Sequence, residues 1–141
     1  MDDCISMRVL DARNVQEAYP AESFDAVFVD APCSGLGLVR RKPDIKYTKS
    51  LKDLKSLEKI QLDILISASK MVKSKGSLVY STCTINKAEN RELVNQFLEE
   101  NPAFEIEPIG KWIHKDTEDI TILPNDFNSD GFYICKLVKK S

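Results

Sequence analysis

Glycine is scarce, five in 141 residues, and none falls in a G-x-G-x-x-G or G-x-x-x-x-G-K string, so a phosphate-cradling loop of either common kind is missing. No apolar run approaches the roughly 18 residues of a membrane span. The acidic start Met1-Asp2-Asp3 has neither the basic nor the apolar region of a secretory signal. These absences make a soluble, cytoplasmic protein with no membrane partner the expectation. No sign of charge dominates either: 20 Lys and Arg face 22 Asp and Glu, a net charge of -2. That excludes a global basic field, so any nucleic-acid footprint must be local. Histidine occurs once, and Cys4, Cys33, Cys83 and Cys135 are too widely spaced for a zinc knuckle or a dense disulfide framework. The thiols should be free and no metal is expected; a zinc set of Cys33, Cys83, Cys135 and His114 would need closure across the whole chain.

What is present alternates. Residues 5–10 (ISMRVL) read as a short strand running out at Asp11-Ala12-Arg13. Residues 24–30 (FDAVFVD) lack polar alternation, the pattern of a parallel strand buried on both faces, and stop before Pro32. Ser50 with Asp53 opens a helix over 51–73, with Leu54, Leu57, Ile64, Ala68 and Met71 at helical spacing, closed by Lys75-Gly76. Residues 77–83 (SLVYSTC) read as a second buried strand. Asn86 with Glu89 repeats the capping pattern before a helix ending near Asn101-Pro102. Strands are expected at 104–106 and 132–138, with a polar, irregular connection over 110–130 that holds Trp112 and His114. Cys4 and Cys135 fall in apolar strands and read as core thiols; His114 reads as surface. This alternation predicts one open, layered α/β sheet.

A crossover through 51–73 makes the strands ending at Asp30 and Cys83 parallel, with their carboxyl ends on one edge of the sheet. Asp30, Cys33 and Cys83 then converge where open α/β sheets place ligands. Buried cysteines are common as small hydrophobes, but these two directly follow strands, in the strings DAPCSGLG and YSTCTIN.

DAPCSGLGLVRRKPDIKY, KGSLVYSTCTINKAEN and DGFYICKLVKK, in that order and spacing, resemble the RNA cytosine-5 methyltransferases, most closely the Sun-type (RsmB-like) enzymes of bacterial small-subunit ribosomal RNA. The resemblance covers nearly the whole chain. It implies a Rossmann-like, S-adenosylmethionine-dependent methyltransferase fold, mostly parallel, with the last strand antiparallel. It also implies ribosomal RNA as partner and 5-methylcytosine as product. Carbon 5 of cytosine is too electron-poor to attack a methyl sulfonium until a thiolate adds to carbon 6, so covalent catalysis by cysteine suits the reaction. In the family the attacking thiol belongs to the Thr-Cys motif, here Cys83. The Pro-Cys thiol, here Cys33, assists release of the adduct, and Asp30 would stabilise charge on the ring. Asp11 matches the position that contacts the adenine end of the cofactor, with Asp30 and Pro32 at the same site. Arg40, Arg41, Lys42 and Lys46, with Tyr47, read equally as a solvated face or as phosphate-binding charge; their place after the thiol loop favours RNA.

The family's cofactor site begins with a glycine-rich loop that this sequence does not contain. Residues 1–141 are therefore expected to form one domain, the carboxyl-terminal portion of the catalytic domain, truncated on its amino-terminal side. Residues 5–10 would then lose both expected neighbours, leaving them frayed, misplaced or paired in a homodimer across an apolar sheet edge at 24–30. The alternative reading is a non-catalytic RNA-binding or assembly fragment that retains the motifs. A cysteine hydrolase would need a base beside the thiol, and the single histidine lies far downstream.

Overall fold

The computed structural model describes residues 4–44 and 50–141. Strand β1 (Phe24–Asp30) leads through helix α1 (Leu51–Ser69) to β2 (Val72–Thr82). Helix α2 (Arg91–Glu100), β3 (Phe104–Ile106), β4 (Ile120–Ile122) and β5 (Phe132–Lys139) follow. The sheet order is β1-β2-β5-β3, with β4 also paired to β5. Strands β1 and β2 are parallel, whereas β2, β3 and β4 all run antiparallel to β5. Four strands therefore share one direction and β5 alone opposes them, as expected. Along its second edge β5 takes β3 at Leu137–Lys139 and β4 at Phe132–Ile134, so two short strands do the work of one long one.

Helix α1 begins where its capping residues place it. Asp53 N–H donates to Ser50 Oγ (3.2 Å) and Ser50 N–H to Asp53 Oδ2 (2.9 Å), satisfying two amides the helix cannot reach. Its buried stripe Gln61, Leu65 and Ala68 follows the 3.6-residue period and packs with Val94 and Phe97 of α2 onto Val29, Leu78, Tyr80, Cys135 and Leu137. The helix stops at Ser69, earlier than expected. Strand β2 instead starts at Val72, which pairs with Phe24 before the register jumps to Ala26 with Ser77. Lys75 (φ 63°) and Gly76 form the tip of that irregularity inside the strand. A Cβ on Gly76 would lie 2.9 Å from the Asp25 carbonyl.

Other expectations fail as well: residues 120–122, within the connection expected to be irregular, form β4. Residues 5–10 form no strand and are exposed, because no described strand lies beside them to complete a ladder. Cys4 is likewise exposed and is not a core thiol, whereas Cys135 is buried. Strand β1 is not buried on both faces: only Val29 is fully covered, and Phe28 is 76% exposed. The helices cover one face of the sheet. On the other, Phe28, Val79, Ile134 and Trp112 line an open groove.

Because β5 carries three of the four pairings, truncating its fully buried Leu137 should cost about 3 kcal/mol. Urea unfolding of Leu137→Ala should show this as a lowered midpoint with an unchanged slope.

Candidate active site

The parallel register sets Asp30 opposite Ser81, so the residues after both strands emerge side by side. Cys33 Sγ and Cys83 Sγ lie 2.9 Å apart, and Cys83 N–H donates to Cys33 Sγ at 3.3 Å. Both are free thiols, half-buried. Asp30 is exposed at the end of β1, three residues before Cys33, and accepts from Ser81 Oγ at 3.2 Å. The structure therefore brings together the three residues singled out for chemistry. Burial, and then the hydrogen bond with Cys83, push the Cys33 thiol well above the ordinary range. Cys33 is consequently held in its protonated form at neutral pH.

Two loops must be fixed for these sulfurs to meet, and one buried carboxylate fixes both. Glu89 Oε1 accepts from Ser34 N–H (2.8 Å) and Gln61 Nε2 (2.9 Å). Its Oε2 accepts from Ser34 Oγ (2.6 Å), Asn86 Nδ2 (3.0 Å) and Thr84 Oγ1 (3.3 Å). Ser34 follows Cys33, Thr84 follows Cys83, and Gln61 comes from α1, where it also holds the Pro32 carbonyl at 2.8 Å. Such a buried charge is tolerable only with this many donors.

This use of Glu89 overturns its reading as a helix cap. Helix α2 begins at Arg91, and its N-cap Asn90 makes no side-chain cap. Asn90 instead accepts from Thr82 Oγ1 (2.6 Å) and donates to the Thr84 carbonyl (2.9 Å). Asn86 caps only the short 3-10 turn Lys87–Glu89, through Ala88 N–H. Sequence reasoning missed Glu89, Gln61, Ser34 and Thr84. The available signal was a glutamate and two asparagines crowded within the eight residues after Cys83.

Gly37 closes the thiol loop. Its N–H donates to the Cys83 carbonyl (3.0 Å), and its carbonyl accepts from Gly131 N–H (2.8 Å). A Cβ there would lie 2.1 Å from the Gly131 carbonyl oxygen. Gly35, at φ 72°, supplies the left-handed turn before it.

Arg40, Arg41 and Lys42 follow this loop and are exposed. Arg41 pairs with Asp130, while Arg40 Nη1 donates to Asn128 Oδ1 at 2.8 Å. Lys46 and Tyr47 lie outside the described residues.

Asp11 caps the 3-10 turn Ala12–Glu17, and both its oxygens accept from Arg13. Hydrogen bonding from the Arg13 side chain and then its backbone holds the carboxyl at about 2. Its neighbour Ala12 lines, together with Asp30 and Pro32, a groove of about 440 Å³ along β1. The other lining residues include Val15, Val27 and Ile64. This apolar wall with a carboxylate at one end fits the base and the apolar reach of S-adenosylmethionine. Among the described residues no cluster of His, Cys, Asp and Glu could hold a metal ion.

Residues 3–138 match the family model described as 16S rRNA methyltransferase RsmB/F. The probable ribosomal RNA small subunit methyltransferase B of Bacillus subtilis is 43% identical, over 96% of this chain and 32% of that protein. The ribosomal RNA small subunit methyltransferase B of Vibrio vulnificus is 38% identical, over 93% of this chain and 30% of its own length. This chain thus spans about a third of the curated relatives it matches. Among solved structures, PH0851 superposes with a TM-score of 0.86 at 29% identity, covering 94% of this chain and 30% of that one. NSun6 from Pyrococcus horikoshii, solved with SFG, superposes with a TM-score of 0.79 at 26% identity, covering 94% and 34%. The α/β methyltransferase fold read from the sequence is borne out.

Glu89→Gln would turn an amide toward donors that need an acceptor, and should cost about 2–4 kcal/mol in urea unfolding. It should also reduce the yield of a Cys33–Cys83 disulfide under diamide. Iodoacetamide labelling followed by peptide mapping should find Cys33 slow at pH 8, accelerating only as pH climbs toward its raised pKa, whereas exposed Cys4 labels readily.

Proposed function

The chain belongs to the RsmB/F family of 16S rRNA methyltransferases, and we propose on that premise that it is the carboxyl-terminal portion of a catalytic domain that methylates carbon 5 of a cytosine in ribosomal RNA. The observation that carries this reading is the thiol pair at the carboxyl edge of two parallel strands, 2.9 Å apart, with an exposed carboxylate three residues before Cys33.

In this reading Cys83 is the nucleophile: its sulfur adds to carbon 6, and the base becomes an enamine whose carbon 5 can take a methyl group. S-adenosylmethionine supplies that methyl group when bound, with Asp30 and Pro32 on the wall it would occupy and Asp11 beside it, next to the lining residue Ala12. Asp30, open to solvent at the sheet edge, accepts a hydrogen bond from the exocyclic amine of the cytosine and so orients the ring toward Cys83. Water takes the carbon-5 proton, the electron pair of that C–H bond re-forms the ring double bond, and Cys83 leaves carbon 6 as a thiolate. Cys33 assists this step, for which a thiol that keeps its proton at neutral pH is well suited. A target base must be unstacked to expose carbon 6 to Cys83. Arg40 and Lys42, with Lys46, provide the phosphate contacts, while Arg41 is held by Asp130. The exposed edge of β1 seats the remaining part of the enzyme or a second copy of this chain. The protein works in the cytoplasm, with its RNA.

The test combines this chain with the separately expressed amino-terminal two-thirds of the Bacillus subtilis relative, small-subunit rRNA and S-adenosylmethionine. Methyl transfer is expected, with loss by about a thousandfold or more in Cys83→Ala and a covalent protein–RNA adduct on denaturing gels in Cys33→Ala. Failure of Cys33→Ala to trap any adduct would overturn the assigned roles. RNA binding without methyl transfer would favour the assembly fragment.

A further inference from the structure

The segment joining β4 to β5 holds two consecutive non-glycine residues in the left-handed region, Phe127 at φ 52° and Asn128 at φ 50°. A bulky ring residue adopts this conformation at a cost, and only where its surroundings enforce it. Here they do. Asp126 accepts from Leu123 N–H (3.0 Å) and pairs with Lys115 (3.3 Å). Ser129 N–H donates to the Asp126 carbonyl (3.2 Å), Gly131 N–H to the Gly37 carbonyl (2.8 Å), and Arg40 Nη1 to Asn128 Oδ1 (2.8 Å). The product of all this restraint is a Phe127 that is 69% exposed. Little of that strain is returned as packing.

The position of the ring is informative. Gly37 joins this segment to the Cys83 carbonyl, so the loop bearing Phe127 is tied to the thiol loop through one residue. The acidic residues flanking the tip are already paired, Asp126 with Lys115 and Asp130 with Arg41. Among the described residues Arg40 meets only neutral atoms of Asn128. An uncompensated guanidinium, held on Asn128, and the exposed ring of the preceding residue thus come from two segments that Gly37 ties to the candidate active site. That pairing of groups recognises a nucleotide, the ring stacking on the base and the cation meeting its phosphate.

We propose that Phe127 and Arg40 form a binding site for an unpaired nucleotide flanking the target cytosine in single-stranded RNA. The inference rests on the RNA-methylating role above and adds to it a stacking residue and the reason for its strained backbone.

The test is fluorescence anisotropy of the 141-residue chain with a labelled, cytosine-containing single-stranded RNA of about 12 nucleotides. Phe127→Ala should weaken binding about tenfold, Phe127→Trp should retain it, and Arg40→Gln should weaken it and flatten its salt dependence. Phe127→Gly is the discriminating variant: it suits φ 52°, so it should bind weakly without lowering the thermal midpoint. Wild-type binding by Phe127→Ala would overturn this inference and leave the methyltransferase reading standing. So would a Phe127→Gly protein that loses stability in step with binding, since the ring would then be a structural prop. A wild-type chain that binds no RNA would overturn this inference, whereas the methyltransferase reading falls only if the combined enzyme also fails to transfer a methyl group.

Discussion

The buried carboxylate of Glu89 is the constraint on which the candidate site depends. Five donors from three separate stretches of chain converge on its two oxygens. An ionised group in the interior is destabilising unless so surrounded, and the same requirement makes the arrangement specific. Moving either loop would strand a donor or uncover the charge. Neither sulfur touches Glu89, yet their separation follows from it, since Ser34 and Thr84 stand immediately after the two cysteines. The Tyr80 hydroxyl donating to the Glu89 carbonyl at 2.7 Å ties this centre down into the hydrophobic core.

Around that centre the loops are fastened in sequence. Gly37 contacts the Cys83 loop on one side and the β4–β5 connection on the other, with no room for a side chain between. Charges in the following run are divided between tasks: Arg41 is spent on Asp130, while Arg40 leans on a neutral amide. A count of basic residues would treat the two alike, though only one offers its charge to a phosphate. On the far side, Arg91 holds both Glu118 and Asp119, and Tyr133 donates to Asp119 at 2.7 Å. The lead-in to β4 is thereby pinned to α2.

Much of the fold was legible because its determinants are local. The Ser50–Asp53 box, the stripe on α1 and the short strand at 104–106 all lie where spacing and propensity put them. The direction of β5 and the meeting of Asp30, Cys33 and Cys83 followed from topology and the resemblance. What failed depended on neighbours. Apolar content in 5–10 makes a strand only if another strand lies alongside, and the unalternating run 24–30 signals two covered faces only if something covers the second. Lys75-Gly76 looks like a helix stop, but its left-handed backbone serves an irregularity within β2. Asn86 and Glu89 fit a capping pattern, and Asn86 does cap a short turn, yet the Glu89 side chain is drawn to a partner 55 positions away, which no local window contains. The same holds for Gln61, an unremarkable helix residue until Pro32 and Glu89 are placed beside it.

The reversed strand β5 has a consequence in time as well as in space. It comes last of the five strands among the described residues, where β3 and β4 have no other strand to pair with and β2 needs it for its second edge. Until residues 132–139 are available, only the β1–β2 pair can form a ladder, and two apolar short strands must wait unpaired. Sheet completion is therefore a late, long-range event, the slow kind of assembly in which exposed strand edges are most prone to wrong partners. Gly131, one residue before β5, meets Gly37 at that same moment. The thiol loop thus receives its final fastening only when the sheet does, and the site and the fold are completed together.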